Sequence, residues 1–104
     1  MKELDVQGAV NLFGIARESG TPEVVAALVS GGAAVDLQDK MFKQTALMYA
    51  AGNERTPAIA GFLLKAGAKT KLTNAGKRTA CDYARENPIF RGTPELADLE
   101  RAAR

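Results

Sequence analysis

Cys81 is the side chain best suited to covalent chemistry in this sequence, and it is the only cysteine. A thiolate attacks carbonyls and disulfides, but a base or a cationic neighbour must first lower its pKa. The chain has no histidine, which removes the commonest general base and zinc ligand. Ser19 and Ser30 stand outside any G-x-S-x-G context. Gly31-Gly32 is followed by neither Walker nor G-x-G-x-x-G spacing and reads as a helix stop. Glu18, Glu54, Asp82 and Glu86 form no spacing typical of a catalytic pair or a calcium loop. The expectation is a non-enzyme with no catalytic residue, no metal ligands and no cofactor.

What remains is recognition by charge and apolar contact. The formal net charge is +2, yet it is unevenly spread: residues 1–39 carry −4, residues 40–91 carry +7 and residues 92–104 carry −1. Lys40, Lys43, Lys69, Lys71, Lys77 and Arg78 crowd two short stretches of the central block. Such a stripe either steers an acidic partner or is a solvated edge that discourages strand pairing. Phosphate binding is the rival from another class, but the aromatics Phe42, Tyr49, Phe62, Tyr83 and Phe90 fall mostly on expected core faces. Nucleic acid is therefore the less favoured partner.

The elements that place these residues follow from an internal echo. TALMYA at 45–50 returns as TACDYA at 79–84, 34 residues later. GTPEVVAALVSGGAAVDLQD at 20–39 parallels RTPAIAGFLLKAGAKTKLTN at 55–74 at an offset of 35. Self-similarity at this period indicates stacked supersecondary units. Thr-Pro at 21–22, 56–57 and 93–94 suits a helix start, with threonine capping and proline at the first turn. Val24, Val25, Leu28 and Val29, then Ile59, Ala60, Leu63 and Leu64, lie on one helical face. Gly32 and Gly67 then end these helices. Thr45 and Thr79 begin the other helix of each unit, and Asp82 completes a capping box with Thr79. Asn11 to Ala16 occupy the matching place in a worn first copy.

Three helix pairs are thus expected: 6–18 with 22–31, 46–53 with 57–66, and 80–86 with 94–103. The repeats run roughly 6–39, 40–74 and 75–104, all in one domain. Segments 33–44 and 68–78 lie between the pairs, where Val35 and Leu37, then Thr70 and Leu72, alternate like short strands. Cys81 aligns with Leu47, so it is expected to be a small buried hydrophobe. With 6% aromatics and no tryptophan, the core must be aliphatic and tightly stacked.

TALMYAA, the Thr-Pro helix and LLKAGAKTKLTN together resemble an ankyrin repeat, and the likeness covers about residues 6–104. Ala46 and Ala80 stand where that family has proline, and Met48 and Asp82 where it has histidine. The stretch from Ala84 to Pro94 is longer than in the other copies and contains Pro88, as an atypical capping unit would. The resemblance implies an all-α, ankyrin-like solenoid with short β-turn fingers. It also implies non-catalytic protein binding on a concave face, as an adaptor, inhibitor or protective subunit. Carried over by position, that face includes Glu18, Ser19, Lys40, Met41, Gln44, Gly52, Asn53, Ala75, Lys77, Arg78, Glu86 and Asn87.

One finger departs from the usual polar turn. Met41 and Phe42 stand at its tip, next to Lys43, where the counterpart finger has Ala75 and Gly76. The pair is either an apolar anchor for a partner or folds back, with Phe42 covering Leu37 or the next finger. The expected partner is a protein with an acidic surface. The expected state is a monomer, unless the apolar finger drives self-association. No run of 18 apolar residues exists to span a bilayer. MKELDVQGAV lacks the apolar stretch of a signal peptide. With one cysteine and no internal disulfide, a cytoplasmic location is expected, although a removed leader would leave no trace.

Overall fold

The computed structural model describes residues 22–52 and 57–103. In chain order these form α1 (Pro22–Ser30), α2 (Ala46–Ala51), α3 (Ala58–Lys65), α4 (Ala80–Glu86), a 3-10 turn (Pro88–Phe90) and α5 (Pro94–Ala102). The expected helix over 6–18 and the capping roles of Thr21 and Thr56 lie outside the described residues.

Helix starts follow the sequence signals. Thr45, Thr79 and Thr93 each accept a hydrogen bond from the N–H three residues on, at Met48, Asp82 and Leu96. Asp82 returns the bond to the Thr79 N–H, closing the capping box. Pro94 occupies the first turn of α5, where no amide is needed.

Helix ends are equally local. Gly32 and Gly67 take left-handed φ values of 96° and 90°. The following amides, Ala33 and Ala68, reach back to the carbonyls of Leu28 and Leu63, and the glycine amides reach Val29 and Leu64. This paired closure satisfies carbonyls that would otherwise be orphaned. It also makes α1 and α3 stop one residue earlier than the apolar pattern suggests.

Two layers result. α2 packs on α4, and α1, α3 and α5 pack in succession behind them, with α2 on α3 and α4 on α5. Their shared core contains Val25, Leu47, Ile59, Leu63, Cys81, Phe90 and Leu99, all at most 1% exposed. Alanines 46, 50, 51, 60, 80 and 84 let the helix backbones approach closely. Cys81 occupies the core position expected from its alignment with Leu47.

The intervening segments are not strands among the described residues. A ladder needs consecutive backbone pairs. Here the two fingers share the Ala75 N–H to Phe42 carbonyl bond, at 2.9 Å. Side chains do the rest: the Gln38 amide donates to the carbonyls of Lys43 and Thr73, each at 2.8 Å. Asp36 accepts from the Lys69 N–H at 2.7 Å. The alternation of Val35 with Leu37 and of Thr70 with Leu72 therefore does not mark strands: the Leu37 N–H bonds the Ala34 carbonyl in a turn over Val35-Asp36, and the chain bends at Thr70-Lys71.

Candidate protein-binding surface

Each finger is built on one carboxylate or amide. Asp39 Oδ1 accepts from the N–H groups of Phe42 and Gln44. Asn74 Oδ1 accepts from those of Gly76 and Arg78. The backbones close the same way, Asp39 N–H to Gln44 carbonyl and Asn74 N–H to Arg78 carbonyl. Between these anchors the first finger holds Lys40, Met41, Phe42 and Lys43, and the second holds Ala75, Gly76 and Lys77. The first finger therefore carries one extra residue, and this insertion changes the repeat offset from 35 to 34.

The extra residue is apolar and exposed. Met41 is 78% and Phe42 54% accessible, so the tip does not sink into the core. It borders an open depression shared with Asp39, Lys40, Gln44 and Tyr49.

The sequence suggested Gly76 as the special turn residue, but the left-handed residue of each finger is a lysine. Lys43 has φ 59° and Lys77 φ 63°. The position immediately before the returning Gln44 or Arg78 amide needs that conformation, and Gly76 precedes it by one. A side chain there costs about 1 kcal/mol or more relative to glycine. Lys43→Gly and Lys77→Gly are each expected to raise stability by about 0.5–1 kcal/mol. The check is the urea midpoint at unchanged slope.

Two tyrosines tie the inner helices to the fingers. The Tyr49 hydroxyl donates to Asp39 Oδ2. Its repeat partner Tyr83 bonds Asn74 Nδ2 at 2.7 Å and Gln44 Oε1 at 3.0 Å. Asn74 Nδ2 also reaches Gln44 Oε1 at 3.2 Å, which locks one finger to the next. Sequence reading missed this role, although the tyrosine recurs in both six-residue strings.

Burial opposes ionisation of Asp39. The Tyr49 hydroxyl and the N–H groups of Phe42, Gln44 and Lys43 outweigh it and hold the carboxyl below its ordinary value. A lowered folded pKa stabilises fully above the unfolded value, about 3.9. That contribution is lost as pH falls through the lower folded value. Asp39→Asn should keep the turn, because Asn74 already builds one. Its urea midpoint should then fall less than that of the wild type on acidification below about pH 5.

The other expected site residues divide. Lys40, Lys43, Ala75 and Lys77 are exposed at the tips, and Gly52 is exposed at the end of α2. Lys69 and Lys71 are exposed too, but Thr70 between them bonds the Ala102 carbonyl of α5, which puts them at the foot of the second finger. The expected stripe is thus a tip group and a foot group. Arg78 lies over the Tyr83 ring, 4.5 Å from its centre, and pairs with Glu86 at 2.6 Å. Each satisfies the other's charge. Gln44 is part-buried in the Asn74–Tyr83 network. Asn87 does not belong to the surface: it is 7% exposed. Its amide caps the Ala51 carbonyl of α2 at 3.0 Å. Glu18, Ser19 and Asn53 lie outside the described residues.

The helix pairs, their paired glycine closures and the Asx-built fingers repeat in register. A family model for ankyrin repeats, in three copies, matches residues 12–97. The chain belongs to the ankyrin-repeat family. No match is found among the curated proteins. Ankyrin repeats are in general protein–protein interaction modules and are typically non-catalytic. Among the described residues of this ankyrin-repeat chain, no cluster of potential metal ligands occurs. Burial pushes the Cys81 thiol up, away from the reactive thiolate. Among the described residues no helix is long and apolar enough to cross a membrane.

Proposed function

We propose that this ankyrin-repeat chain is a non-catalytic module that binds an acidic partner protein through its finger tips. The observation that carries the reading is the first finger. An exposed Met41–Phe42 pair stands there between Lys40 and Lys43, with Lys77 on the adjoining tip. None of the three lysines has an ion-pair partner among the described residues. Apolar anchors bring affinity, and unpaired cations bring encounter rate and orientation.

A capture experiment tests this reading. Wild type and the triple variant Lys40→Glu, Phe42→Ser, Lys77→Glu serve as bait in lysate of the source organism. A protein held by wild type and lost by the variant, with both baits folded by circular dichroism, supports the reading. Equal retention moves the site off the fingers. Co-elution of nucleic acid with wild type alone transfers the site to phosphate binding. Dimerisation of purified wild type, abolished by Phe42→Ser in light scattering, assigns the tip to self-association instead.

A further inference from the structure

We infer that the finger tips receive a linear acidic segment of the partner, with one apolar side chain on Phe42 and carboxylates on Lys43 and Lys77. This deepens the protein-binding reading above and rests on it. The geometry of the two tips narrows the partner from an acidic protein to an acidic strand of chain.

Lys43 and Lys77 occupy the same place in two successive fingers, and both adopt a conformation that favours glycine. Folding gains nothing from a lysine there. Stored strain of this kind points to a use for the side chain. Both lysines are exposed.

The tips are held together. The Ala75 N–H to Phe42 carbonyl bond, 2.9 Å, sets the second tip directly against the first. Lys43 follows Phe42, and Lys77 lies two residues beyond Ala75. Phe42 and Lys43 of the first finger and Lys77 of the second are therefore exposed on adjoining tips. Nearby carboxylates do not neutralise those cations. Asp39 is occupied by Tyr49 and by the turn amides, and Glu86 is occupied by Arg78.

The apolar part is small. The other large exposed hydrophobics among the described residues are Val24 and Ile89, on α1 and the 3-10 turn. The depression beside Met41, Phe42 and Tyr49 is open and lies between the first finger and α2. Its lining mixes Met41, Phe42 and Tyr49 with Asp39, Lys40 and Gln44, which is not the broad apolar centre of a folded interface. An extended acidic segment with a single anchor matches the few exposed apolar residues and the exposed lysines of the tips.

The test is a selection of phage-displayed random dodecapeptides against the wild-type chain. Enriched peptides are then made with a fluorescein label and titrated by anisotropy. The expected result is enrichment of aspartate and glutamate around one leucine, isoleucine or phenylalanine. The double variant Lys43→Gly, Lys77→Gly should bind these peptides at least about tenfold more weakly. Its melting temperature should match or exceed that of wild type, which separates lost charge from lost fold. Phe42→Ser should show a similar loss at unchanged helicity. Peptides without acidic enrichment, or equal affinity for the double variant, overturn the inference. So does a selection that enriches no peptide. If the capture experiment still finds a finger-dependent protein, the protein-binding reading survives and its contact is a folded surface.

Discussion

Phe90→Ala is expected to destabilise the protein by about 3–5 kcal/mol. Phe90 is the largest fully buried side chain among the described residues, at 0% exposure. It sits in the 3-10 turn between α4 and α5, and its backbone is fixed on both sides. Its N–H bonds the Asn87 carbonyl, and its carbonyl accepts from the Thr93 N–H and hydroxyl. The backbone therefore has little freedom to collapse onto a cavity. Single domains hold only about 5–15 kcal/mol in total, so this one truncation approaches the limit for a short stack. Phe90→Leu keeps most of the volume and should cost less than about 1.5 kcal/mol. Leu47→Ala, in the facing inner helix, is the companion case at about 2–5 kcal/mol. Urea denaturation with the slope monitored reads all three. A loss below about 1 kcal/mol for Phe90→Ala would mean the ring fills no essential space.

The burial of Phe90 explains an irregularity that the sequence displayed without resolving. Pro88 interrupts the last unit, and the stretch from Ala84 to Pro94 is longer than its counterparts. The interruption marks the 3-10 turn that carries an aromatic ring into the core. The stacking letters were legible because each has a local mechanical duty: threonine caps, glycine reverses, and apolar residues recur at helical spacing. The finger details were less legible. Asp39 and Asn74 look like ordinary loop residues until their oxygens are seen closing the turns. Gly76 drew the eye as the turn glycine, whereas the positive φ fell on Lys77. Left-handed backbone is set by where the returning amide must point, and a neighbouring glycine does not reveal that.

Residues of the expected binding face were hardest to separate from scaffold. Position within the repeat placed Lys40, Met41 and Lys77 at the tips, because exposure there follows from turn geometry, and left open whether Phe42 folds back over Leu37 or the next finger. The same reasoning placed Asn87 on that face, at the end of α4. An asparagine at a helix end can face solvent or turn inward, and the periodicity is the same for both. What decides between them is the demand of another element. The carbonyl of Ala51, in the last turn of α2, would otherwise lack a partner, and the Asn87 amide supplies it.

Asn87→Ala should accordingly cost about 2–4 kcal/mol and act on the fold rather than on a partner. Two groups lose their bonds together: the Ala51 carbonyl, bonded at 3.0 Å, and the Ile89 N–H, bonded at 3.2 Å. Each buried group left unsatisfied costs about 1–3 kcal/mol, less where water can reach it. Asn87→Asp sharpens the test. A carboxylate can still accept from Ile89 but cannot donate to the Ala51 carbonyl, and it brings a negative charge to the negative end of α2. Burial and that carbonyl should raise its folded pKa above the unfolded value of about 3.9. A raised carboxyl pKa destabilises fully above the folded value and is relieved as pH falls toward the unfolded one. The deficit of Asn87→Asp relative to wild type should therefore be larger at pH 7 than at pH 4, where the protonated acid can donate to Ala51. A residue serving only a partner would change binding and leave the urea midpoint of the isolated chain where it was at both pH values.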